Sequence, residues 1–135
     1  MKLYLAAVAL LLAACSPPAA RVDTQGQAAR AEVDDATRLY GECVSGHADA
    51  LPVNGDAAGS IALEILKTCK ASRTDLVAKV ARFHKLGNPK ESDARAEAVA
   101  EASVMEIDDQ VRQAAVVTII KRQSTAPGET QGTKI

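Results

Sequence analysis

Tryptophan is absent from this 135-residue chain, which holds one phenylalanine and two tyrosines, so aromatics make up only 2% of it. A core built on large rings is therefore excluded, and close packing of small and aliphatic side chains must replace it. Alanine carries much of the 47% hydrophobic fraction, which favours helices over sheets. A dominant charge is missing too: 16 Lys and Arg stand against 17 Asp and Glu, a formal net charge of -1. No nucleic-acid partner is expected from a chain without a basic face to neutralise phosphates. The chain is too apolar for full disorder and short enough for one domain at most. Catalytic signatures are also lacking. There is no G-x-S-x-G elbow, Gly-rich phosphate loop, H-E-x-x-H, E-x-x-H pair or C-x-x-C-H attachment. His47 and His84 are the only histidines, and neither has an evident nucleophile beside it. The expectation is a protein that is not an enzyme and carries no cofactor.

What the chain does have begins at its start. Lys2 gives a positive charge, Leu3 to Leu12 is an unbroken apolar run, and Ala13 and Ala14 lead to Cys15. Such a run is too short to span a bilayer and reads as a cleavable export signal. Leu12-Ala13-Ala14-Cys15 resembles the lipobox of bacterial lipoprotein precursors, a likeness confined to residues 1 to about 16. The resemblance implies a signal peptide over 1–14 that is cut off, a diacylglycerol on the Cys15 sulfur and acylation of the new amino group. More than one acyl chain gives stable anchoring. Ser16 stands where an aspartate would mark inner-membrane retention in some two-membrane bacteria, so the resemblance implies an outer-membrane anchor facing the periplasm.

Residues 15–26 then read as a lipidated tether, with two prolines and no apolar period, and 123–135 as a disordered tail of the same character. Between them, 27–122 carries the helical spacing of three and four. Val33, Ala36, Tyr40, Cys43, His47 and Leu51 form one stripe, ended by Pro52. After a turn, Ile61, Ile65, Cys69, Ser72, Leu76, Val80 and Phe83 form a second, capped by Gly87. Ser72 with Asp75 forms a variant capping box that would kink or split this helix near residue 71. A third runs from about Pro89 to Arg122, with Ala100, Val104, Ile107, Val111, Ala114 and Thr118 in the four-three alternation of a coiled-coil seam. Asp34 with Arg38, Asp75 with Lys79 and Asp108 with Arg112 stand four apart, acid first. The expected fold is all-α, a small antiparallel three-helix bundle.

Cys43 and Cys69 lie at similar distances on either side of the turn near Asn54 to Asp56 and on the apolar seam. In an antiparallel hairpin they would meet, as a disulfide joining helices 1 and 2 requires, and an exported domain would favour it. Cys43, His47 and Cys69 are also three ligands of a zinc or copper site with no fourth in view, and a redox-active thiol pair is a further alternative. His84 reads as helix-edge packing. The seven carboxylates from Glu91 to Asp109 match no calcium loop and read as a solvated face. Ala114 to Ile120 is apolar on all sides, so Ala114, Val116, Val117, Ile119 and Ile120 are either buried in the bundle or a partner contact.

The functional expectation is a membrane-anchored periplasmic lipoprotein. It would act as a non-catalytic interaction or accessory module of the cell envelope, with the membrane and an envelope protein as partners. The alternative is a periplasmic binding protein for a small apolar ligand or a metal ion.

Overall fold

The computed structural model describes residues 24–53 and 55–125. These form four helices: α1 (Thr24–Ala50), α2 (Ala58–Thr68), α3 (Lys70–Gly87) and α4 (Asp93–Thr125). There is no strand among the described residues, so the fold is all-α as expected, with four helices rather than three. The expected second helix is two, divided at Cys69, just before the expected site. The Ser72 capping box is not formed, because α3 has already started at Lys70 and the N-cap is Cys69. Cys69 itself takes φ -86° and ψ 13°, outside the helical well. Its neighbour Thr68 bonds its hydroxyl to the Glu64 carbonyl at 3.0 Å, a competition with the helix ladder that bends helices.

Named contacts give the directions of the rods. Arg73 reaches Glu101 and Asp108 while Lys85 reaches Asp93, so α3 and α4 are antiparallel. Cys43 meets Cys69 while Glu32 meets Arg82, so α1 and α3 are antiparallel as well. Tyr40 reaches Asp108 and Ala48 is reached from Arg122, which makes α1 and α4 parallel. α1 packs mainly on α3 and α4, and α2 packs mainly on α4.

The turns follow local chemistry. Pro52 follows the end of α1, and Gly55 takes φ 79°, a left-handed value that suits glycine, in the loop before α2. At the far end the cap of α3 is Asn88 rather than Gly87; its side-chain amide donates to the His84 carbonyl at 3.0 Å. Pro89 does not open α4. Ser92 does, accepting from the Arg95 amide at 3.2 Å, so α4 starts at Asp93 and the segment before it is a turn.

The core is made of small residues, as the lack of aromatics requires. Ala36, Ala48, Ala62, Ala100 and Ala115 are buried together with Tyr40, Val44, Ile65, Leu76, Val104 and Ile119. Close approach of backbones through alanine replaces bulk, and Tyr40 is the one buried aromatic among the described residues. Phe83, expected on the seam, is 40% exposed. The α4 stripe also departs from the seam. Beyond Val104 the buried positions are Ala115 and Ile119, not Ala114 and Thr118. A strict four-three alternation suits one partner followed along the whole length. Here α1 runs beside α4 to its end, but α3 lies beside the early part of α4, from Asp93 to Asp108, and the start of α2 comes near its end, so its buried face rotates.

Candidate functional site

Cys43 and Cys69 form the disulfide expected from their places on either side of the turn. Their Cα atoms are 6.0 Å apart, and the bond ties α1 to the α2–α3 junction. Cys69 is 1% exposed and Cys43 is half-buried. One helical turn beyond Cys43, His47 brings its ring to the same place. Each residue of the trio Cys43, His47 and Cys69 offers a ligand atom within 4.8 Å of the other two. With the sulfurs bonded to each other, neither is a free thiolate, so in this state the trio is a staple beside an imidazole rather than a metal centre.

About one helical turn from the disulfide lies a polar cluster that was not foreseen from the sequence. The Tyr40 hydroxyl, on a residue with no exposure, donates to Asp108 Oδ1 at 2.8 Å. Arg73 Nε donates to Asp108 Oδ2 at 2.8 Å and its Nη2 to Glu101 Oε2 at 2.9 Å. Burial, followed by the hydrogen bond to Asp108, pushes the Tyr40 phenol above its ordinary range. Glu101 and then Asp108 hold the Arg73 guanidinium further above its own. All four groups have partners, and the cluster joins α1, α3 and α4 at one level. Its chemistry is that of a structural clasp.

The three expected intrahelical ion pairs are not made. Asp108 is taken by Tyr40 and Arg73, and Arg112 pairs with Asp109 instead. Arg38 pairs with Asp35 and Glu42, and Lys79 faces Glu32 on α1 at 3.6 Å. An interhelical or adjacent partner with better geometry displaces a pair worth only about 0.3–0.5 kcal/mol. The acidic run is accordingly not a bare solvated face. Glu91 pairs with His84 at 2.7 Å, Asp93 with Lys85, and Glu101 and Asp108 with Arg73. Lys85 holds the Asp93 carboxyl below its ordinary value.

The apolar stretch near the end of α4 divides by face. Ile119 has no exposure, Ala115 is buried and Val116 is half-buried, so Ile119 is a core residue rather than a contact residue. Val117 is 66% exposed and Ile120 52%, with Ala114 also exposed. At the opposite end, Phe83, Leu86, Val80 and Val99 line an open apolar groove of about 540 Å³ beside Gly26. Cys15, the expected lipidation site, lies outside the described residues, as do 1–14, the tether up to residue 23 and the tail from 126. Residues 24–26, expected in the tether, are already helical, and α4 runs to Thr125. Among the described residues no helix is long and apolar enough to cross a membrane. No protein-family model matches the chain, and neither a curated protein nor a solved structure matches it.

Proposed function

We propose that this chain is a lipoprotein of the bacterial envelope, anchored through acyl groups on Cys15 in the outer membrane. Its helical domain then serves in the periplasm as a non-catalytic interaction module. The observation that carries the reading is the Cys43–Cys69 disulfide. Structural disulfides persist in oxidising compartments, and an export signal over 1–14 would deliver the chain to one. Tyr40, Arg73, Glu101 and Asp108 are engaged with one another, which supports a structural rather than a catalytic use of the polar groups. The exposed Val117 and Ile120 on α4 and Leu63, 52% exposed on α2, supply apolar surface for an envelope protein partner.

The test is metabolic labelling with an alkyne palmitate analogue, with the intact mass of the purified protein. Label on the native chain, none on Cys15→Ser, and a mature N-terminus at residue 15 are expected. An unlabelled chain, or a mature N-terminus elsewhere, overturns the reading. A photo-crosslinker at Val117 in intact cells should capture an envelope protein; repeated absence of any protein adduct defeats the interaction half.

A second reading rests on the groove lined by Phe83, Leu86, Val80 and Val99. Its size of about 540 Å³ is in the range that takes small apolar ligands. Native mass spectrometry of the protein purified from membranes would favour it by retaining a bound small molecule that Phe83→Ala loses.

A further inference from the structure

We infer that reduction of the Cys43–Cys69 disulfide opens a three-ligand site for a thiophilic d10 cation, Zn²⁺ or Cu⁺, with His47 as the third ligand. The inference stands independently of lipidation.

The starting observation is that an imidazole shares the place where the two sulfurs meet. His47 lies four residues after Cys43, so both side chains leave the same face of α1, and Cys69 comes to them from the α2–α3 junction. One nitrogen and two sulfurs already lie within 4.8 Å of one another, so modest side-chain movements would bring all three around a single ion. Two ligands on opposite sides of a zinc ion cannot be more than about 4.6 Å apart when its bonds to sulfur are about 2.3 Å and to nitrogen about 2.0 Å. Among the described residues the His47 ring makes no hydrogen bond, so no partner has to be displaced for it to ligate. His84, by contrast, is held by Glu91 at 2.7 Å.

The two states exclude each other. In the oxidised chain each sulfur is bonded to the other and carries no thiolate charge with which to hold a cation. A dithiol reductant breaks the S–S bond with two electrons: its first thiolate attacks the half-buried Cys43 sulfur, Cys69 leaves as thiolate, and the second thiol resolves the mixed disulfide. The reductant ends as its own disulfide, and Cys43 and Cys69 become thiols. Binding the cation then releases two protons, one from each thiol, and His47 ligates as neutral imidazole. In a tetrahedral site the sulfurs need separate only to about 3.8 Å. Cys69 occupies the one-residue junction outside the helical well, the point in this rod best able to yield. The cation would then restore the link between α1 and the α2–α3 junction that reduction removes. Two thiolates and an imidazole suit Zn²⁺ with a water as fourth ligand, and suit Cu⁺ through the softness of sulfur.

The test uses the full chain, reduced with a phosphine that is then removed without oxygen, and titrated separately with Zn²⁺ and with Cu⁺ against a chromophoric chelator. One equivalent of at least one cation should bind to the reduced chain and none to the oxidised chain. The bound cation should protect the Cys43 and Cys69 thiols from alkylation and raise the melting temperature of the reduced chain. His47→Ala, which removes no partner of the disulfide, should weaken binding by more than the about 10–100-fold that loss of an outer-shell partner costs. Equal binding by His47→Ala, or no equivalent bound by the reduced chain, overturns the inference. Circular dichroism covers the chance that reduction melts the bundle. A cation that restores helix supports the site; bound cation with no recovery of helix means ligation by an unfolded chain and also overturns it.

Discussion

Tyr40 of α1 and Asp108 of α4 meet through a 2.8 Å hydrogen bond, and the same carboxylate receives Arg73 from α3 on its other oxygen. One side chain therefore fixes three helices at one level. In a core made largely of alanine and valine, which slide past one another easily, a polar clasp of this kind sets the register that bulk would otherwise set. Tyr40→Phe removes one donor and leaves Asp108 held by Arg73, so the expected loss is about 1 kcal/mol. Asp108→Ala leaves the buried phenol without an acceptor and Arg73 with Glu101 alone, so about 2–3 kcal/mol is expected. Urea unfolding of both variants checks the order; a Tyr40→Phe loss as large as that of Asp108→Ala would deny the shared carboxylate its role.

The same phenol gives a pH dependence. Its folded pKa is raised above the ordinary 10.0 by burial and by Asp108, so the folded state keeps the proton that the unfolded chain gives up. Below pH 10 both states are protonated and the contribution is whole; as pH climbs beyond that, the unfolded state ionises first and stability falls. Tyr40→Phe has no such group. The stability difference between native and Tyr40→Phe proteins should therefore shrink as pH rises above 10, measured by denaturant unfolding at closely spaced pH values. A difference that stays constant to pH 11 refutes the assignment.

The staple carries a separate prediction. The disulfide joins residues 26 apart in sequence, and removing a cross-link over a loop of that size returns chain entropy worth about 3.5 kcal/mol to the unfolded state. Cys43→Ser with Cys69→Ser should lower stability by that order in the absence of metal, while keeping the helical spectrum, since the core around Ile65 and Leu76 remains. The oxidised native protein should take up no maleimide at Cys43 or Cys69 until the disulfide is reduced.

Arg122 illustrates why part of the fold was legible in the sequence and part was not. Its Nη1 donates to the Ala48 carbonyl at 2.8 Å and to that of Leu51 at 2.7 Å, satisfying acceptors at the end of α1 from the end of α4. In the sequence Arg122 is only the last residue of the third helical stretch. Features decided locally were readable: the apolar spacing that makes the helices, Pro52 after α1, and the equal distances of Cys43 and Cys69 from the turn. Features decided by which helix lies opposite were not. Asp108 has a correctly spaced cation on its own helix and still binds Tyr40 and Arg73, and the buried face of α4 moves to Ala115 and Ile119 because its neighbour changes. A carboxylate at a position that the apolar stripe itself crosses, as Asp108 is between Val104 and Val111, was the available signal for the clasp.

Removing the Arg122 side chain should expose that interhelical cap directly. Arg122→Ala leaves two carbonyls without their donor at a partly buried site and is expected to cost about 1–2 kcal/mol. Arg122→Lys, with one compact charge in place of the fork, should recover only part. Amide exchange should quicken at the end of α1 and in α2 before it does in α3. Uniform quickening across all four helices would mean that Arg122 supports the whole bundle rather than this corner.

The two faces at the end of α4 separate core from exposed residues within a single turn. Ile119 has no exposure, and truncating it to alanine should cost about 2–5 kcal/mol through the cavity left between α4 and its neighbours. Val117 and Ile120, at 66% and 52% exposure, have little to lose on folding. Val117→Asp and Ile120→Asp should leave the melting temperature within a few degrees of native, because neither buries the new charge. If this face holds an envelope partner, the same two substitutions should abolish the crosslinked adduct in cells while lipidation and the disulfide persist. The comparison removes the usual ambiguity of a lost interaction, since a folding defect is expected of Ile119→Ala alone and a lost adduct with native stability would point to the outer face. Adducts that survive Val117→Asp and Ile120→Asp together would move the contact elsewhere, with the groove at Phe83 next in line.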